Sequence, residues 1–394
     1  MRLLDVVTYA VISTVCLLPS AHAQCRFRSL QPRRYNAYVV PVATPIVVDG
    51  KLDDAAWADA PFSEPFVDIM GPLHWSQPWF TTRVKMRYNA SHLFVGAYLE
   101  DTSVWAHETQ RNAVVFHDND FEVFVDAAGH THDYVEVEVN ALNTTWNLKL
   151  NRPYRDGGHE NSTRVDPEYG FDLVGQGFQS AVFTEGPPND ASQSLRYWTV
   201  EMALPMHALV SSGTAAEPQP VLSFWRINFS RVQWATRVRA DGTYEKIPGR
   251  REDNWVWSPQ YAVNMHMPEQ WGYVFFAGVL PPPGDRPLPP PPEDPYWSLR
   301  FFAFQLYYAQ HAYRERFGRF ATQWDAGVKP FVPVQAAVAC FHVRRWSVPA
   351  SGDTFEIEVD DGEGAYWFAL IRSDGWIDVR QGRQDVDSAV VALE

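Results

Sequence analysis

Between about residues 38 and 278, apolar and polar side chains alternate along the chain in short runs broken by turn residues. In FHDNDFEVFVD, residues 116 to 126, Phe121, Val123 and Val125 fall on one side of an extended strand. Phe116, Asp118, Asp120, Glu122 and Phe124 fall on the other, because successive strand side chains point to opposite faces. VEVEVNALNTTWNLKL repeats the device, with Val135, Val137, Val139 and Ala141 on one side and Glu136, Glu138, Asn140 and Leu142 on the other. The pattern predicts one core face and one face that meets water or a polar ligand. RVKMRYNASHLFVGAYLED reads as a hairpin turning at Asn89-Ala90-Ser91, and RYWTVEMALP and VLSFWRINFSRVQW read as further strands. Many short antiparallel strands without an intervening helical period predict a mainly β protein, an antiparallel, jelly-roll-like β-sandwich.

The pattern changes after PPPGDRPLPPPPEDP, residues 281 to 295, where proline excludes helix and central strand and favours an extended spacer. We place a domain boundary there. WSLRFFAFQLYYAQHAYRERFG then carries Leu299, Phe302, Leu306, Ala309, Tyr313 and Phe317 at helical spacing, with Gly318 as a C-cap. FEIEVDD, AYWFALIRS and WIDVRQ suggest a small meander. The expected organisation is a leader (1–23), a sandwich (38–278), a proline-rich linker (281–295) and a small α+β unit (296–394) that folds on its own and docks to a protein or cell-wall partner.

The leader is inferred from MRLLDVVTYAVISTVCLLPSAHAQ: Arg2, a short apolar run, and Ala21-His22-Ala23 before Gln24 resemble a secretory signal peptide. No later apolar run approaches the roughly 18 residues of a membrane helix, so the expected product is soluble and exported, extracellular or periplasmic. Without the leader, Cys25 and Cys340 remain as a pair whose bonding the sequence leaves open. Sequons begin at Asn89, Asn143, Asn161 and Asn228. A net charge of -14 argues against nucleic acid and anionic polysaccharide. The 16 Trp residues suggest aromatic stacking surfaces beyond the core.

Seven motifs in order, IVVDGKLDDAAWADA, TTRVKMRYNASHLFVGAYLED, NDFEVFVD, VEVEVNA, WTVEMALP, FWRINFSRV and NWVWSPQYAVNMHMPEQWGYVFF, resemble the family 9 carbohydrate-binding module. The resemblance implies a sandwich that clamps a sugar between two aromatic rings while neighbouring strands read its hydroxyls. Pyranose C–H faces suit aromatic faces, and carboxylates are strong hydroxyl acceptors. Carried over by position, Phe116 corresponds to the first clamp ring, Glu122 to the acid on the sugar and Asn140 to the polar residue beside it. Glu138 stands where an Arg is expected, and Met265 or His266 where the second clamp Trp is expected. Trp105, Trp146 or Trp255 is left to supply that ring. Asp49-Gly50, Leu52 and Trp57 read as a structural plug, and Trp198, Val200 and Met202 as core.

The expected ligand is a neutral oligo- or polysaccharide, bound without catalysis. Two alternatives remain at this stage. Asp120 and Glu122, on one strand face, could serve a glycoside-acting enzyme, or the chain could be an accessory to polysaccharide breakdown, and Met265, His266 and Met267 could offer axial ligands to non-covalent haem, covalent attachment being excluded by the lack of CxxCH. The resemblance also implies structural calcium; Asp118, Asp120 and Asp126 with nearby carbonyls are the candidate donors.

Overall fold

The computed structural model describes residues 25, 27–210, 224–281, 287–361 and 367–382, so the leader and the chain's last residues lie outside it. Along the chain the strands are β1 (Arg34–Val39), β2 (Val67–Asp68), β3 (Thr82–Tyr88), β4 (His92–Glu100), β5 (Asp120–Asp126), β6 (Tyr134–Asn140), β7 (Thr145–Leu150), β8 (Glu160–Asn161), β9 (Gln179–Thr184), β10 (Tyr197–Pro205), β11 (Phe224–Gln233), β12 (Thr236–Val238), β13 (Tyr244–Lys246), β14 (Asp253–Val256) and β15 (Gly272–Phe276). The C-terminal part adds β16 (His342–Ser347), β17 (Glu356–Asp360), β18 (Trp367–Arg372) and β19 (Ile377–Gln381). The helices are α1 (Ala55–Ala58), α2 (Met206–Leu209) and α3 (Trp297–Phe317).

Strand order β8-β7-β6-β5-β11-β15-β1-β3-β4-β10-β9 makes one curled sheet whose two halves pack face to face. The hinge is β1, which pairs in parallel with β15 through residues 34–37 and with β3 through residues 38–39. Those two ladders depart from the antiparallel expectation; every other pairing in the curled sheet is antiparallel. The predicted hairpin is β3–β4, with the Asn89 side chain accepting hydrogen bonds from the Ser91 and His92 N–H groups.

Between the halves lies the main core. Phe121, Val123 and Val125 from β5 meet Val135, Val137 and Val139 from β6, Phe229 from β11, and Trp198, Val200 and Met202 from β10. Each such buried aliphatic or aromatic side chain stabilises the fold by roughly 1.5–3 kcal/mol relative to exposure. At one end Glu201, on β10, accepts hydrogen bonds from Asp49 N–H (2.9 Å), Gly50 N–H (2.8 Å) and the Trp57 indole (2.7 Å). Gly50 needs its left-handed φ of 89°, and a Cβ there would come within 2.5 Å of the Val182 backbone. The plug expected from Asp49-Gly50 and Trp57 is thus anchored on a buried carboxylate that alternation alone assigns to the outer face.

The C-terminal part is a four-stranded antiparallel meander, β16-β17-β18-β19, under α3. Strand β16, absent from the sequence reading, has a mixed polar pattern and lies largely exposed. Helix α3 ends at Gly318, whose φ is 75° and whose N–H donates to Arg314 C=O. Leu299, Phe302 and Leu306 face the meander as their spacing predicts, whereas Trp297 packs on Tyr273 and Phe275 of the sandwich. The helix therefore buries two faces, which blurs its amphipathic signal.

Further contacts join the two parts. Thr131 Oγ1 donates to Gly375 C=O (2.7 Å), Arg300 donates to Gly129 C=O (3.3 Å), and Tyr308 donates to Glu269, which Arg155 also grips at 2.8 and 2.9 Å. The proline-rich segment lies along the sandwich, with Asn36 donating to Pro289 C=O and Arg34 pairing with Glu293. Cys25 and Cys340 form a disulfide with Cα atoms 5.5 Å apart. Among the described residues no helix is long and apolar enough to cross a membrane.

Candidate functional site

The polar side of β5 and β6 does not face water. Register places Ser230 (β11), Glu122 (β5), Glu138 (β6) and Trp146 (β7) in one row across four strands. The next row toward one end is Asp120 beside Asn140, and toward the other Asn228, Phe124, Glu136 and Leu148. All of these side chains are buried. Ile69, Val115, Val256, Met265 and Trp271 cover part of this face and form a second core with Phe124, Tyr134, Trp146 and Leu148. Of the two expectations for this strand side, water or a polar ligand, the first is excluded: other segments roof it over, and alternation could not see the roof.

Four carboxyls are consequently held in a desolvated patch. Burial pushes Glu122 up to about 7, a rise that the nearby Ser230 hydroxyl tempers. Burial and then the Glu122 charge raise Asp120, Glu136 and Glu138 well above the usual carboxylate range. Asp120 accepts one hydrogen bond, from Val232 N–H at 3.1 Å, through Oδ1. Its Oδ2 is buried without a hydrogen-bond partner, and the other polar atoms of the patch have neighbours only within it: the Ser230 hydroxyl beside Glu122, and Glu136 beside Glu138. Arg231, whose guanidinium feels the Asp120 charge, is bound to Asp101 at 3.1 Å, to Gln233 and to Glu100 C=O.

Asn140 has a different task. Its amide donates to Glu108 C=O (2.8 Å) and Asp118 (3.0 Å), and its oxygen accepts from Leu142 and Thr144 N–H (3.0 Å each), so its polar atoms hold the neighbouring loops. Asp118 likewise accepts from His107 and Glu108 N–H. Asp126 accepts from Gly129 and Thr131 N–H at the far end of β5, about 20 Å from Asp120 by strand rise. The set Asp118, Asp120 and Asp126 therefore does not fit one calcium ion.

Aromatic placement also departs from the expected clamp. Trp105, Trp146 and Trp255 are buried. Trp146 donates from its indole to Glu160 (3.2 Å) and lies under Arg164 at 5.0 Å, and its ring centre is 6.3 Å from that of Phe116. Trp105 and Trp234 both lie against Lys246, whose Nζ is 5.4 and 3.4 Å from their ring centres. Met265 packs in the second core. His266 meets the Tyr134 hydroxyl at 3.0 Å and stacks edge-on with Tyr154 at 4.6 Å. Burial and then Arg155 lower its pKa to about 4, so the ring is neutral near neutrality. With Met265 enclosed and His266 engaged by Tyr134, the pair is not presented as haem ligands.

The rings that do reach the surface here are Phe116, 39% exposed, and Tyr154, 44% exposed. Burial, and after it the charges of Glu136 and Glu160, push the Tyr154 hydroxyl up to about 12. Its ring packs edge-on against His266, within electrostatic reach of Glu136 and Glu138. Trp234, half-buried, donates from its indole to Phe116 C=O at 3.0 Å and steadies that ring's backbone. Sequence reasoning missed Tyr154 and Arg164, which come from loops that no local period marks, and it read Ser230 and Trp234 only as part of a strand, because their nearness to β5 depends on a pairing remote in sequence.

Residues 48–221 match the family described as carbohydrate family 9 binding domain-like. Among solved structures, the chain is similar to a Bacteroides uniformis protein assigned as carbohydrate-binding, at 16% identity over 63% of this chain and 100% of that one, with a TM-score of 0.44. It is also similar to a family 9 carbohydrate-binding module from Caldicellulosiruptor kristjanssonii in complex with glucose, at 13% identity over 65% of this chain and 100% of that one, with a TM-score of 0.38. The same module in complex with cellotriose matches at 12% identity over 64% of this chain and 100% of that one, with a TM-score of 0.37. No curated protein matches the chain significantly.

Proposed function

Since residues 48–221 belong to the carbohydrate family 9 binding domain-like family, we propose that this chain is a secreted, non-catalytic protein that binds neutral oligo- or polysaccharide where Phe116 and Tyr154 lie near the acidic rows of β5 and β6. One observation carries the reading: two exposed rings, Phe116 beside Trp146 and Tyr154 within electrostatic reach of Glu136 and Glu138, lie near a buried patch of carboxylates that has oxygens without a partner. Rings favour the C–H faces of a pyranose, and a carboxylate acceptor rewards a hydroxyl that has lost its water. Glu122, in the middle row between Ser230 and Glu138, is the acid that the family resemblance assigns to the sugar.

Hydrolysis is the weaker reading. Asp120, Glu122 and Glu138 project from adjoining strands onto the same side, whereas a glycosidase needs two carboxyls flanking the scissile bond. Export rests on the leader-like N-terminus, and N-terminal sequencing of the exported chain should begin at Gln24. The C-terminal α+β unit is proposed to dock to a protein or cell-wall partner.

The test is a glycan array with the chain from Gln24 onward, followed by calorimetry on any hit with wild type, Phe116→Ala and Tyr154→Ala. Binding of a neutral glycan that weakens in both variants supports the site. Binding that neither variant weakens moves the sugar elsewhere on the molecule.

A further inference from the structure

Helix α3 carries a second stripe of rings besides the one that faces the meander. Trp297, Phe301, Phe304 and Tyr308 recur at spacings of three and four residues and so share one side of the helix. That side helps to line a cavity of about 370 Å³ whose opposite wall is the sandwich, with Tyr273 of β15 and Met267 in it. The Trp297 and Phe301 rings stack there with centres 5.0 Å apart. Close-packed interiors leave few voids larger than a water molecule. Ligand pockets, by contrast, have volumes of roughly 300–1,000 Å³, favour the junctions between domains and are lined mainly by apolar and aromatic side chains. One polar group in this wall lacks a partner: Gln260, 1% exposed, donates from its amide nitrogen to Ser258 C=O at 2.9 Å, while its Oε1 is buried without a hydrogen bond. A ligand that donates a hydrogen bond would satisfy that acceptor.

The charged groups of the same wall already answer one another. Arg300 pairs with Asp294 at 3.2 Å, and Arg155 holds Glu269. Arg226 lies opposite Asp126 in the ladder between β5 and β11, donates to the C=O groups of Trp271 and Glu269, and sits 4.0 Å from the centre of the Tyr273 ring. The wall therefore offers little net charge to reward an ion for losing its water. We propose that the cavity between α3 and the sandwich binds a small, uncharged aromatic molecule of the phenol class, its ring among Trp297, Phe301 and Phe304 and its hydroxyl donating to Gln260. Offset and edge-on ring contacts hold such a molecule, and the single hydrogen bond orients it. None of Phe116, Glu122 and Glu138 lines the cavity, so the site is separate from the one assigned to sugar. It exists only where the C-terminal unit meets the sandwich, which gives the aromatic side of α3 a task beyond packing.

The experiment titrates the chain from Gln24 onward calorimetrically at neutral pH with three probes of one shape: 2-naphthol, its methyl ether 2-methoxynaphthalene, and the anion 2-naphthoate. Thermal midpoints with and without probe follow folding. Wild type should bind one 2-naphthol per chain with a dissociation constant of about 1 mM or lower and melt higher with it. The ether, which cannot donate, should bind about fivefold more weakly, and Gln260→Leu should erase that difference. Met267→Trp, which fills the cavity with a larger side chain, should weaken 2-naphthol at least about tenfold while the protein remains folded. The three probes on wild type decide the matter even where a variant does not fold. No binding of 2-naphthol to folded wild type at millimolar concentration would overturn the proposal, as would an ether that binds equally well or a naphthoate that binds more tightly. Binding that a folded Met267→Trp leaves unchanged would place the probe elsewhere and overturn it too.

Discussion

Acidification should destabilise this protein through His266 by an amount that can be isolated. The ring is packed between Tyr134 of β6 and Tyr154, edge-on to Phe124 of β5, with the Arg155 guanidinium nearby and paired to Glu269. Loss of hydration and the Arg155 charge hold its pKa at about 4 instead of 6.5. At roughly 1.4 kcal/mol per pKa unit, that displacement has an upper bound of about 3.5 kcal/mol, and the ring's remaining contact with solvent brings the expected value to about 3 kcal/mol or less. A depressed histidine pKa means that the unfolded chain binds the extra proton first. The contribution is therefore complete above pH 6.5 and is lost as pH falls from 6.5 toward 4. The assay is urea unfolding across that window for wild type and His266→Asn, with the variant subtracting the carboxylates that titrate in both. Wild type should lose up to about 3 kcal/mol more than the variant over the window. A constant difference, or a folded-state NMR titration of His266 near 6.5, would refute the burial argument.

Other perturbations read different parts of the molecule. Val123→Ala, at a fully buried position between Val137 and Phe229, should cost on the order of 2 kcal/mol in urea unfolding and leave glycan affinity of the folded protein unchanged. Glu122→Gln should keep the fold and weaken glycan binding by roughly ten- to hundredfold in calorimetry. Gly272→Ala would bring a Cβ within 2.2 Å of the enclosed Trp257 ring, so the expected loss of about 1–3 kcal/mol or more should appear as a lower thermal midpoint. Limited proteolysis within residues 281–295 should give two bands only on a reducing gel, because Cys25 and Cys340 join the flanking parts; two bands without reductant would contradict the bond.

How legible this was in the sequence depended on how local each determinant is. The inner faces of β5, β6 and β10 could be read directly, because a period of two survives wherever one side is a wide apolar core. Helix α3 could be read for its span and its Gly318 cap, but not for its second buried face, which exists only once Trp297 meets Tyr273. The same limit governed the site. Glu122 and Glu138 were found as strand positions, yet their burial depends on Ile69, Val256 and Met265, which arrive from remote segments. Asn140 had the right residue type in the right place, and its hydrogen bonds go to the loops around Glu108 and Thr144. The three tryptophans considered for the second ring, Trp105, Trp146 and Trp255, are buried, and the exposed rings nearest this face are Phe116 and Tyr154. Asn228 shows the converse problem: its sequon is sound in sequence, but its side chain is buried and bonded to the Ser258 backbone, whereas Asn143 and Asn161 are exposed and Asn89 is partly exposed.

The most direct test of carbohydrate recognition at this face is a calorimetric titration of the best neutral glycan from the array into folded wild type and Glu122→Gln, side by side. The account predicts a saturable heat for wild type, with a dissociation constant at or below about 1 mM, and a heat reduced by roughly tenfold or more in affinity for the variant. No heat from any neutral glycan at millimolar concentration, or identical isotherms for the two proteins, would contradict it.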